Sequence, residues 1–67
     1  MDSKALIQAY MRAKKFSQYQ QVAAELGFTK SHISSLTTGK VQLTDATAKK
    51  IAEEIGLDVQ EVLLSLA

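Results

Sequence analysis

A chain of 67 residues and 7.3 kDa makes one small domain; at this size only about 60 % of the unfolded surface is buried on folding, which excludes the large enzyme folds. There is no cysteine, so neither disulfides nor thiolate metal sites staple the core, and the 46 % of hydrophobic residues must hold the fold by packing. The net charge of +1 hides a lopsided division: through Thr44 six cations face Asp2 and Glu25, a net +4, whereas residues 45–67 set Lys49 and Lys50 against five carboxylates, a net −3.

No acidic residue falls between Glu25 and Asp45, so the surface this stretch presents tolerates a polyanion. No apolar run approaches the ~18 residues of a membrane span, and Met1-Asp2-Ser3-Lys4 opens no secretory pattern, so a cytoplasmic location is expected. The absence of proline favours helices.

Apolar residues recur at i, i+3, i+4, i+7 along the chain, the period of a helix rather than a strand. The first stripe is Leu6, Ala9, Tyr10 and Ala13, capped by Asp2 or Ser3 and ended near Lys14 and Lys15, whose charges suit a helix C-terminus. Ile7 and Met11 fall off that stripe. The second stripe, Tyr19, Val22, Ala23 and Leu26, predicts a short helix from about Gln18 to Leu26, with Ser17 and Gln20 in the form of a capping box and Gly27 as terminator. A third helix starts from Thr29 as cap, runs through Ile33 and Leu36 and stops before Gly39.

After a loop over Lys40 to Leu43, Thr44 caps a fourth helix with the stripe Ala48, Ile51, Ala52 and Ile55, ended by Gly56. Asp58 with Glu61 caps a fifth, whose stripe is Val59, Val62, Leu63 and Leu66 and from which Leu64 is excluded. Short connections predict a compact all-α bundle of five helices, one domain over residues 1–67.

Residues 19–38 form two helices joined by Gly27-Phe28-Thr29, the layout of a helix-turn-helix. The run Tyr19 to Thr38, with Ala23, Gly27, Ile33 and Leu36 at their spacings, resembles the DNA-binding helix-turn-helix of the phage repressor and Cro family, the XRE-like domains. With the helices ending in Ile55-Gly56-Leu57-Asp58-Val59 and Val62-Leu63-Leu64, the likeness covers nearly the whole chain. It implies the five-helix repressor fold, with the second and third helices forming the motif and the third entering the major groove of double-stranded DNA.

On a 100° wheel the outer face of the third helix is Ser31, Ser34, Ser35 and Thr38, a stripe of hydroxyls where an ordinary solvated face carries Glu, Lys, Gln and Arg. Carried over residue by residue, the resemblance implies that Lys30, Ser31, Ser34 and Ser35 touch base edges, with Lys30 able to reach guanine or a phosphate. Phosphate donors are expected around the rim: Gln18, Tyr19 and Gln20 at the amide end of the second helix, and Thr38, Lys40 and Gln42 opposite. Tyr19 reads equally as a core aromatic. His32 flanks the helix, and with no cysteine or second histidine it reads as a phosphate contact or an exposed side chain rather than a metal ligand.

The chain departs from the family pattern in lacking Arg, Gln or Asn on that face, so water bridges, thymine methyls and DNA shape should carry much of the specificity. Thr37 stands where many relatives have a Glu that pairs with an Arg of the first helix, which leaves Arg12 without that partner. A lone module makes few contacts, so a homodimer is expected, meeting through the C-terminal helix, with Leu64, Ile7 and Met11 as a candidate partner patch. A protein-binding module of antitoxin or antirepressor type, with DNA binding secondary or absent, is the alternative, and the acidic C-terminal helices permit it. No phosphate loop, nucleophile with base or metal cluster occurs, so no enzyme, cofactor or small-molecule substrate is expected.

Overall fold

The computed structural model describes residues 1–67 as five α-helices without a strand: α1 Ser3–Lys14, α2 Tyr19–Leu26, α3 Lys30–Thr37, α4 Asp45–Ile55 and α5 Val59–Leu66. The helix starts follow the capping residues of the sequence. Asp2 accepts from the Ala5 amide at 2.8 Å, Thr29 from His32, Thr44 from Thr47 and Asp58 from Glu61, each satisfying an amide that the helix itself leaves free. The start of α2 lies one residue later than a Ser17 cap requires. There Gln21, not Gln20, turns back, its Oε1 accepting from the Ser17 and Gln18 amides at 2.7 and 3.0 Å. Lys15 closes α1 in the left-handed conformation, φ 60°, its amide donating to the carbonyls of Arg12 and Met11.

Helix α1 packs on α3 and α4, α2 on α3, and α4 on α5, around a core that includes Leu6, Ile7, Tyr10, Val22, Ile33, Leu36 and Ile51. The predicted stripe of α1 requires a correction. Ile7 is fully buried and Met11 half-buried against the core, whereas Ala13 is exposed. The face that seats α1 is therefore Ser3, Leu6, Ile7 and Tyr10, rotated toward the larger side chains, because burying isoleucine removes far more apolar surface from water than burying alanine. Ile7 is thus core and no part of a partner patch. Leu64 does stand out from the bundle, 71 % exposed.

Two polar ties cross between distant elements. Buried Ser3 accepts the Leu43 amide on its Oγ at 3.1 Å, fastening the loop between α3 and α4 to the start of α1. The hydroxyl of fully buried Tyr10 donates to Glu54 of α4 at 2.9 Å, and Lys14 pairs with the same carboxylate at 3.3 Å. Burial, then the bond to Glu54 and its negative charge, push the Tyr10 hydroxyl well above its ordinary pKa; the bonds from Tyr10 and Lys14 hold Glu54 below its own.

Candidate nucleic-acid interface

The turn between α2 and α3 follows from three residues. Gly27 ends α2 at φ 75°, a left-handed conformation that glycine adopts without a side-chain penalty. Phe28 donates its amide to the Ala23 carbonyl at 2.8 Å and half-buries its ring, and Thr29 then caps α3. Ala23, nearly buried where the two helices meet, leaves them room to cross closely. With Ile33 and Leu36 directed into the core, α3 has one way to face: Lys30, Ser31, Ser34 and Thr38 are exposed, and Ser35 is half-buried at the edge of the same face.

Hydroxyls on that face are unequally available. Those of Thr37 and Thr38 fold back onto the carbonyls of Ser34 and Ser35, at 2.9 and 3.3 Å. The Ser35 carbonyl also accepts the amides of Lys40 and Val41, at 3.0 and 3.3 Å, which fixes the loop leaving α3. His32 is exposed and stands edge-on to Phe28, ring centroids 4.7 Å apart.

A cleft borders α3 on each side. One, of 680 Å³, brings Gln18, Tyr19 and Gln20 at the start of α2 together with Lys30, and adds Gln8 and Arg12 from α1. The other, of 340 Å³, lies where the start of α1, the end of α3 with its following loop, and the last turn of α5 meet, and includes Thr38 and Gln42. Lys40 is exposed in that same loop, and His32 lines neither cleft. Tyr19 is both half-buried against the core and part of a cleft wall, so its two readings coexist.

Arg12 and Gln8 were not among the expected contacts. Their signal is an α1 cation at i+4 from a glutamine, with threonine at position 37 and no acidic residue for it to pair with on α3. The ion pair of the chain, Lys14 with Glu54, uses none of Arg12, Lys30 or Lys40. No carboxylate lies between Glu25 and Asp45, so Lys30 at the start of α3 and Lys40 in the loop after it have no acidic neighbour along the chain. No group of three or more metal-ligating side chains occurs, and no helix is long and apolar enough to cross a membrane.

An exposed second helix of a two-helix turn, flanked by free cations and helix amides, defines the class of helix-turn-helix DNA-binding regulators. The chain belongs to that family: the helix-turn-helix family model of XRE type matches residues 7–62, from the middle of α1 into α5. Comparisons with curated proteins and with solved structures gave no match.

Proposed function

We propose that the protein is a sequence-specific repressor of phage or mobile-element type, binding a two-fold operator as a homodimer with α3 of each copy in the major groove. The observation that carries this reading is the outer face of α3: exposed hydroxyls and Lys30, a cleft with Arg12 on one side, exposed Lys40 on the loop at the other, and no carboxylate on the helix or its flanking loops. In this reading Lys30, Ser31, Ser34 and Ser35 meet base edges. Gln18, Tyr19, Gln20 and Arg12 hold the phosphate backbone on one side, and Thr38, Lys40 and Gln42 hold it on the other, with His32 at the flank.

Small hydroxyls bring the backbone of α3 close to the groove floor but make single hydrogen bonds, where a planar amide or guanidinium makes two. Ser35, half-buried and tied to the loop after α3 through its carbonyl, is held at the edge of that face. Deformability of the site and bridging water therefore supply part of the specificity. Dimension supports the dimer: one copy measures 27 × 25 × 17 Å, so two copies side by side can set their α3 helices about 34 Å apart, one turn of duplex.

Selection of bound duplexes from a random pool, by wild type, Lys30→Ala and Ser35→Ala, tests the reading. The expected outcome is a two-fold symmetric site whose preferred bases change in at least Lys30→Ala while the helical circular dichroism stays the same. Uniform weakening with an unchanged site would move these residues to phosphate. Failure of the wild type to retain any duplex at low salt would leave the protein-binding module as the better account.

A further inference from the structure

We infer that Ser3, at the start of α1, is a positioning residue for DNA binding: its buried hydroxyl sets the direction in which Gln42 meets the phosphate backbone. This role rests on the DNA-binding reading, and Ser3 fills it without touching the duplex. Apart from Tyr10, Ser3 is the one buried residue with a polar side chain, 6 % exposed. The start of α1 does not need that hydroxyl, because Asp2 already caps the helix. Its partner is instead the amide of Leu43, itself buried, at 3.1 Å.

The loop from Thr38 to Leu43 is held in two halves by different elements. The amides of Thr38, Lys40 and Val41 donate to the carbonyls of Ser34 and Ser35, so the first half rides on α3. In the second half the Leu43 amide crosses to Ser3 of α1. A peptide group is planar, so the Leu43 amide and the Gln42 carbonyl turn as one unit, and a bond that fixes the first fixes the second. Burial of the Leu43 side chain does not do this alone, because apolar packing is not directional. Lys40 differs: both of its flanking peptide groups are bonded to Ser35, so it keeps its place without Ser3.

The two halves therefore contribute separably. Lys40 brings charge and with it salt dependence, whereas Gln42 brings a neutral hydrogen bond to phosphate, which releases no counterion. Losing the Ser3 tie weakens binding but leaves the salt slope and the preferred sequence alone. Because α1 also carries Gln8 and Arg12 in the cleft on the other side of α3, one helix orders both flanks, directly through Arg12 and indirectly through Ser3.

The test is fluorescence anisotropy of the labelled operator recovered by selection, across a salt series, with wild type, Ser3→Ala, Gln42→Ala, the double variant and Ser3→Thr. Far-ultraviolet circular dichroism sets a temperature at which each is folded, and Val62→Ala, a buried change on α5, controls for lost stability alone. Ser3→Ala and Gln42→Ala should each weaken operator binding about tenfold with an unchanged slope, and the double variant should bind within about twofold of either single. Ser3→Thr keeps an accepting oxygen, and its affinity should follow hydrogen exchange at Leu43: that of wild type where exchange stays slow, that of Ser3→Ala where it does not. Four outcomes overturn the inference: wild-type binding by Ser3→Ala, losses in Ser3→Ala and Gln42→Ala that add, a flattened slope in Ser3→Ala, or an equal loss in Val62→Ala. Low-salt binding of a random duplex by the wild type separates the two levels. If it is seen while the coupling fails, only the positioning role is wrong; if the wild type retains no duplex, the DNA-binding reading itself falls.

Discussion

Salt dependence gives the DNA-binding face a number. Arg12, Lys30 and Lys40 are exposed, border α3 or its loop and are held in no ion pair. With Lys30 assigned to base edges, Arg12 and Lys40 leave two phosphate-neutralising cations per copy and four per dimer, which gives log K against log[salt] a slope of about −4. Raising salt from about 50 to 200 mM should then weaken operator binding on the order of 10²-fold. The perturbations are Arg12→Gln and Lys40→Gln, each of which removes one phosphate contact per copy and should flatten the slope by about 2 in the dimer. Lys49→Gln, an exposed cation of α4 outside both clefts, serves as control and should leave the slope unchanged. Fluorescence anisotropy of a labelled operator across a salt series measures all four proteins. A wild-type slope near zero, or equal flattening by the α4 control, would refute the assignment of these cations to the duplex.

Ile7→Ala should cost about 2–5 kcal/mol in urea denaturation and leave self-association of the remaining folded protein unchanged, since the side chain is fully buried; a loss below about 1 kcal/mol would return Ile7 to the surface. Ser3→Ala strands the buried Leu43 amide and should cost about 1–3 kcal/mol, with faster hydrogen exchange at Leu43 as its local signature. The pH dependence follows from Glu54 and Tyr10. The Glu54 pKa is depressed on folding, so its contribution is complete above the ordinary carboxylate range and vanishes as pH falls through the lower folded value. The Tyr10 pKa is raised, so its contribution is complete below its ordinary value of 10.0 and diminishes as pH climbs past it. Denaturation midpoints of wild type and Tyr10→Phe should therefore converge at both extremes of pH, and a gap that is constant with pH would contradict the tie.

Much of this fold is legible because each helix carries its own start and stop. Asp2, Thr29, Thr44 and Asp58 all cap where their side-chain chemistry says they should, and Gly27 and Gly56 end helices with the left-handed backbone that glycine tolerates. Periodicity failed in α1, where Ala9 and Ala13 complete a regular stripe but bury little. Ser3, Leu6, Ile7 and Tyr10 have the same i, i+3, i+4, i+7 spacing as that stripe, so spacing admits both, and the side that packs on α3 and α4 decides between them. The box at α2 slipped by one because glutamines at 20 and 21 both have the right chemistry, and only the observed start at Tyr19 selects Gln21.

The candidate site was legible in its central helix, since burial of Ile33 and Leu36 determines which residues face out. Its rim was only half legible. Gln18, Tyr19 and Gln20 belong to a helix start that sequence reveals, but Arg12 and Gln8 reach the same cleft from α1, and Ser3 steadies the opposite loop through a bond spanning 40 residues. Contacts between elements so far apart leave no local pattern.

Backbone amide NMR of the ¹⁵N-labelled protein titrated with its selected operator tests the central claim most directly. The largest shifts are predicted at Lys30, Ser31, Ser34 and Ser35 and at the start of α2 around Gln18 to Gln20, with smaller ones through Lys40 and Gln42. Shifts confined to α4 and the first turns of α5, with α3 unmoved, would contradict the claim that the hydroxyl face of α3 is the surface that meets DNA.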